Sequence, residues 1–137
     1  MLAIQDIGVI QVLVKRTEIQ KIENLILSLS KEKFNIKTQY KLIKIHKAIK
    51  NEQEIYQEQI QLNCEPFLEK DENGIPKVNE SGGYKIKEDK ITECYLLMNK
   101  MNNLEVQLPD LFFSFDELEE LDLTLEQLET LEPFIKN

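Results

Sequence analysis

The chain has 137 residues, of which 42% are hydrophobic and 31% charged, and its formal net charge is −8. A chain of this length buries roughly two thirds of the surface that it exposes when unfolded, so we expect one ordered domain spanning residues 1–137. The composition excludes a disordered or fibrous protein, and two cysteines are too few for a disulfide scaffold.

The negative charge is concentrated in residues 104–137, the acidic C-terminal subregion. This segment contains ten acids and one base and carries a net −9, whereas the first 103 residues contain 15 acids and 16 bases. Because such a segment repels phosphate, we expect no direct binding of DNA or RNA through it.

The first predicted element is a strand over Ile7–Val14, which is short and rich in β-branched residues. It is too short to span a bilayer. Asp6 precedes it and Lys15-Arg16 follow it, which is the wrong arrangement for a signal peptide. We therefore expect a protein that stays in the cytoplasm and has no membrane partner.

A helix is predicted to begin at Thr17, because Thr17 and Gln20 have the spacing of a capping box. Its apolar residues recur at steps of three and four, which predicts one buried stripe. The stripe consists of Ile19, Ile22, Leu25, Ile26 and Leu29. Serines and lysines between Ser28 and Lys33 indicate the break after this helix.

A longer helical pattern runs from Ile36 to Phe67, and Pro66 marks its end. Polar residues interrupt the middle of its apolar seam, so a stable solitary coiled coil is disfavoured. These residues are Glu52, Gln53 and Gln59. Two arrangements stay open: each half packs separately on the domain, or the second half extends from it.

A small β-hairpin is predicted over Leu68–Val78, because Asn73-Gly74 supplies the positive φ angles of a tight turn. Ser81-Gly82-Gly83 then turns the chain into a further extended segment, and the sequence shows no internal repeat. From Glu88 the helical period returns, with one face formed by Ile91, Cys94 or Tyr95, Met98 and Met101. A short strand over residues 104–108, ending at Pro109, completes this part of the chain.

Two capping boxes, Ser114-x-x-Glu117 and Thr124-x-x-Gln127, predict a C-terminal pair of short acidic helices. We expect the acids of this pair to face water and its apolar residues to pack inward. The apolar residues are Leu118, Leu121, Leu125, Leu128, Leu131 and Phe134. The elements together predict a helix-dominated α+β fold with an N-terminal strand, a long central helix and a small hairpin.

Four segments, taken in order, resemble a family of small phage and prophage proteins of low-GC Gram-positive bacteria. They are Tyr40–His46, Glu69–Pro76, Gly82–Ile86 and Leu123–Ile135. The resemblance covers most of residues 36–135 and transfers no catalytic residue, because the family has no assigned function. It implies a phage-encoded protein that acts inside a bacterial host cell or in a virion.

No residue pattern indicates catalysis or metal binding. His46 is the only histidine, and Cys64 would lie roughly 27 Å from it along an unbroken helix, so we interpret His46 as an ordinary surface or edge residue. Asp71-x-Asn73-Gly74 lacks the Gly and Glu positions of a calcium loop. We predict no catalytic residue, no metal and no cofactor.

The two cysteines, Cys64 and Cys94, leave two interpretations open. In a reducing cytosol they are small buried hydrophobic residues. Alternatively, they form a bridge across the hairpin, which depends on a separation between their backbones that the sequence does not supply.

The functional hypothesis concerns five acids that could imitate the phosphates of nucleic acid and occupy a basic, nucleic-acid-binding groove on a host or phage protein. They are Asp116, Glu119, Glu120, Glu126 and Glu129. The alternative is that these acids only solvate two amphipathic helices.

The sequence therefore predicts a non-enzymatic phage-type protein-binding accessory module, acting as an inhibitor of a host-defence or nucleic-acid-handling protein. The alternative function is a virion or assembly component that forms a homo-oligomer through the long central helix. An enzyme ranks third.

Overall fold

The computed structural model describes residues 12–136 and confirms the helix-dominated α+β fold. No helix in this range is both long and apolar enough to cross a membrane. The elements in chain order are strand β1 (Val12–Lys15), helices α1 (Arg16–Leu29) and α2 (Ile36–Cys64), 3₁₀ turns at Glu65–Phe67 and Glu88–Lys90, helix α3 (Ile91–Asn102), strand β2 (Glu105–Leu108), helices α4 (Phe115–Leu121) and α5 (Leu125–Leu131), and a final 3₁₀ turn at Glu132–Phe134.

The two strands form a small antiparallel sheet in which Val14 pairs with Val106. Alternate side chains of both strands are buried, because successive residues of a strand point to opposite faces. β1 confirms the end of the predicted N-terminal strand, and residues 7–11 of that prediction lie outside the described residues. β2 confirms the predicted short strand before Pro109.

The predicted capping box at Thr17 and Gln20 is wrong. Helix α1 begins at Arg16, and its N-cap residue is Lys15, which is extended and makes no side-chain cap. The Arg16 amide instead donates to the carbonyl of Leu104, 3.1 Å away, next to the Lys15–Glu105 strand pair. Strand pairing therefore decides where the helix starts, and Thr17 already lies inside it.

The chain divides into two compact units, Met1–Glu52 with Leu104–Asn137 and Gln53–Asn103. We call them the terminal unit and the middle unit. The expectation of a single domain is not decided by this division and stays a prediction. Helix α2 contributes its first part to the terminal unit and its second part to the middle unit.

The terminal unit contains the larger apolar core. The predicted α1 stripe is confirmed, since all five of its residues are buried. Leu42, Ile45 and Ile49 of α2 are buried in the same core. The remaining members come from the two strands and the C-terminal region: Val12, Val14, Val106, Leu108, Phe113, Leu121, Leu131 and Phe134.

One polar interruption of the α2 seam has a partner. Glu52 lies 3.5 Å from the guanidinium of Arg16, and the side chain of Arg16 is 8% exposed. A polar residue where a coiled coil would need an apolar one is thus explained by an ion pair with α1. As predicted, the α-helix ends before Pro66, which lies in the following 3₁₀ turn.

The middle unit contains three short extended arms, which are the two arms of the predicted hairpin and the extended segment predicted after Ser81-Gly82-Gly83. The backbone amide of Lys77 donates to Glu69, that of Lys85 donates to Lys77, and that of Glu69 donates to Lys85, each over 2.9 Å. Each arm is thus joined to both others, and isolated antiparallel bridges accompany each contact. The predicted turn at Asn73-Gly74 lies between the first two arms, but only Gly74, with a φ of 79°, has the predicted positive φ, and Asn73 does not.

The two turns that connect the arms lie eight residues apart and have the same hydrogen-bond pattern. The side chain of Asp71 accepts hydrogen bonds from the amides of Asn73 and Ile75. The side chain of Asn79, eight residues on, accepts from the amides of Ser81 and Gly83. Gly82 has a φ of 85° and matches Gly74, a backbone conformation that favours glycine at both sites.

Helix α3 is the last element of the middle unit. Cys94 and Met101 are buried, whereas Tyr95 is 63% exposed, so Cys94 and not Tyr95 belongs to the inner face. The hydroxyl of Tyr56 on α2 hydrogen-bonds to the side chain of Asn102 on α3. Within this unit, α3 is therefore tied to the second part of α2.

Candidate partner-binding surface

Helices α4 and α5 are two copies of one short pattern. Both predicted capping boxes are formed: Ser114 and Glu117 exchange hydrogen bonds at the start of α4, and Thr124 and Gln127 do so at the start of α5. Ten residues separate each position of α4 from its equivalent in α5. The chain turns between them at Asp122, whose φ is 50°.

Helices α4 and α5 each expose one large apolar residue at the first helical position. Phe115 is 83% exposed and Leu125 is 74% exposed. The prediction that Leu125 packs inward is therefore wrong, and Leu128, at 37% exposed, also lies outside the core. Both helices have only seven residues, and their buried anchors are Leu121 and Leu131, six residues after the exposed one.

Four of the five acids predicted to face a partner are exposed. Asp116 and Glu119 lie one and four residues after Phe115, and Glu126 and Glu129 lie one and four residues after Leu125. Positions four apart on a helix share a face. Each helix therefore presents an apolar side chain flanked by acids, and we call these six residues the acidic surface.

Glu120, the fifth predicted residue, is bound within the molecule. Its carboxylate accepts hydrogen bonds from the amide and side chain of Asn35, over 2.6 and 2.8 Å, and from the hydroxyl of Thr38, over 2.7 Å. Asn35 precedes the first residue of α2. Glu120 thus stabilises the start of α2, so we leave it out of the acidic surface, while the partner-binding role of the other four stays a prediction.

Glu117 is a second acid bound within the molecule. Its carboxylate is 2.6 Å from the ammonium of Lys41, which also donates to the carbonyl of Phe112 over 2.8 Å. Burial alone would raise the pKa of Glu117, but hydrogen bonds from Lys41 and Ser114 outweigh it and lower the pKa below its ordinary value. The carboxylate therefore stays charged and holds α4 against α2.

A pocket of about 330 Å³ lies between the end of α1 and the first part of α2. The apolar part of its lining includes Ile26, Leu29, Phe34, Leu42 and Ile43. His46 and Lys47 lie at the same pocket and add polar groups. The described residues contain no group of three or more His, Cys, Asp or Glu side chains that could hold a metal ion, and the expectation of no cofactor stays a prediction.

The two cysteines of the middle unit are free thiols that lie together. Both are buried, and the thiol of Cys64 lies 3.7 Å from the sulfur of Met98. Burial first, and then the neighbouring Cys94, raise the pKa of the Cys64 thiol. A raised pKa keeps the thiol protonated and unreactive, which fits the interpretation as small buried hydrophobic residues.

Comparisons with protein-family models, with curated proteins and with solved structures found no match to this chain. The resemblance to a phage family, the partner class and the non-enzymatic assignment therefore stay predictions.

Proposed function

We propose that the protein is a non-enzymatic, phage-type protein-binding module whose acidic surface engages a host or virion protein. The observation that carries this proposal is the exposure of Phe115 and Leu125, each flanked by exposed acids. Protein-binding surfaces combine apolar or aromatic anchors, which exclude water, with a polar rim. The acids alone would only solvate the helices, whereas the two anchors leave most of their apolar surface in water.

The chemistry of the acidic surface points to a basic partner. Four acids each contribute one negative charge beside an apolar anchor: Asp116, Glu119, Glu126 and Glu129. Among the described residues, none of these four side chains makes a hydrogen bond or an ion pair. Such a surface attracts a groove that binds nucleic acid, so the protein would act as an inhibitor of a host-defence or nucleic-acid-handling protein in the bacterial cytoplasm. Binding of this kind weakens as salt screens the charges.

A matched pair of variants tests the proposal. The first changes the surface acids to amides (Asp116→Asn, Glu119→Gln, Glu126→Gln and Glu129→Gln). The control changes four acids of the middle unit that are also exposed (Glu54→Gln, Glu58→Gln, Glu72→Gln and Glu80→Gln). Both variants remove four negative charges, so they differ only in where the charges were.

Tagged protein is mixed with purified basic nucleic-acid-binding proteins and with lysate of a low-GC Gram-positive bacterium, and binding is measured as salt is raised. We expect the surface variant to bind at least about tenfold more weakly and the control variant to bind like wild type. Equal binding by wild type and the surface variant would contradict the proposal.

The alternative function, a virion or assembly component that self-associates through the long helix, is favoured by one separate observation. Helix α2 carries three exposed apolar or aromatic side chains whose spacing places them on one face. They are Ile36 (82% exposed), Tyr40 (57%) and Ile43 (54%). A row of exposed apolar side chains on a helix is typical of a contact with another chain.

A further inference from the structure

The first part of α2 and the turn before it are basic. Residues 31–50 contain seven lysines and one acid, Glu32. Lys41 is bound to Glu117, and the other six lysines are exposed. One side of α2 carries an exposed apolar row, Ile36, Tyr40 and Ile43, and helical spacing places Lys37, Lys44 and Lys47 on the same side. The ammonium of Lys44 lies over the ring of Tyr40, as this arrangement requires. We call the six residues of this side the basic surface: Ile36, Lys37, Tyr40, Ile43, Lys44 and Lys47.

The basic surface ends at the apolar pocket between α1 and α2. Ile43 and Lys47 line the pocket, so the exposed apolar row continues into it. Leu27 of α1, which is 45% exposed, also lines the pocket. An apolar cavity of about 330 Å³ is large enough to receive an aromatic ring.

The acidic surface carries a side chain of the matching kind. Phe115 is the most exposed large hydrophobic residue described, and it is flanked by Asp116 and Glu119. An aromatic ring beside two acids is thus complementary to an apolar pocket whose lining includes Lys47, although Glu32 also lines it. Both surfaces belong to the terminal unit, and they occupy different elements of it.

We propose that the pocket between α1 and α2 receives Phe115 from a second copy of this chain, with the acidic surface of that copy against the basic surface. This inference rests on the proposed function, because it names a partner for the same acidic surface. A foreign basic protein would compete with the second copy for that surface.

The contact joins two different surfaces, so it allows two kinds of assembly. If two copies exchange Phe115 about a twofold axis, both contacts form at once and a closed dimer results; otherwise each copy retains one unused surface of each kind, and association continues into a ring or an open chain. A symmetric dimer made by pairing two α2 rows would also stop at two copies, but Phe115→Ser would leave it intact. The size of the assembly and the behaviour of mixed variants separate these arrangements.

Two full-length variants each disable one surface. Phe115→Ser removes the inserted ring, and Ile43→Asp places a charge at the mouth of the pocket. Both residues are more than half exposed, so neither change disturbs the core. Leu62→Ser is the control, because Leu62 is 78% exposed and lies in the middle unit. The proteins are analysed by sedimentation velocity at low and high salt.

We expect wild type and Leu62→Ser to form dimers or larger assemblies as concentration rises to about 1 mM, with association at least about tenfold weaker at high salt. Each surface variant alone should be monomeric. An equimolar mixture of Phe115→Ser and Ile43→Asp should form dimers and nothing larger, because one intact acidic surface meets one intact pocket.

Monomeric wild type at low salt would overturn the inference, as would surface variants that assemble like wild type or an equimolar mixture that stays monomeric. These failures are distinguishable from failure of the proposed function. If wild type is monomeric while the acid-to-amide variant loses a basic partner that the control variant keeps, the copy-to-copy contact is wrong and the protein-binding function stands.

Discussion

Helices α4 and α5 are acidic, whereas the first part of α2 is basic. In both regions the charged residues fall into the same two groups. On each, a minority is bound inside the terminal unit: Glu117 and Glu120 on α4, and Lys41 on α2. The majority is exposed. The charged residues of these helices therefore form two groups, one that holds the fold together and one that faces water.

The largest effect is expected from separating Lys41 and Glu117. Replacing Lys41 by Met leaves the Glu117 carboxylate buried without its cation, and the Glu117 side chain is 8% exposed. We expect the free energy of unfolding to fall by about 2–4 kcal/mol. The measurement is urea denaturation, with Lys50→Met as the control, since Lys50 is exposed. Equal stability of the two variants would show that the pair is not structural.

The pH dependence of stability gives a second and smaller effect. The pKa of Glu117 is lowered in the folded protein from an ordinary value of 4.5, so the unfolded chain binds a proton more readily than the folded one. The stabilisation is present above pH 4.5 and is lost as pH falls through the folded pKa. The unfolding free energy of wild type, measured against pH, should decline more steeply in this range than that of Glu117→Gln. Parallel curves would contradict the assignment.

The sequence predicts the elements whose causes are local. The capping boxes at Ser114 and Thr124 form because donor and acceptor lie three residues apart. The α1 stripe follows from the helical period alone. At Thr17 the same local rule fails, because the distant carbonyl of Leu104 binds the preceding amide and fixes the helix start.

The inner charged residues could not be recognised because their partners are distant in sequence. Glu117 binds a residue 76 positions away, and Glu120 binds one 85 positions away. Helical spacing predicts that Leu125 belongs to the core. It does not, because a helix of only seven residues buries one narrow face, which in α5 contains Leu131. The three extended segments of the middle unit are predicted, but the pairing of the third with the first is not, because it joins residues such as Glu69 and Lys85 that are distant in sequence.

Two adjacent glutamates provide the most direct test of the division between inner and outer acids. Glu119 is exposed, whereas Glu120 accepts three hydrogen bonds from Asn35 and Thr38. The measurement is the unfolding free energy of Glu119→Gln and Glu120→Gln side by side. We expect a loss of about 1–2 kcal/mol for Glu120→Gln and a change within about 0.5 kcal/mol for Glu119→Gln. Equal losses, or a larger loss for Glu119→Gln, would contradict this division.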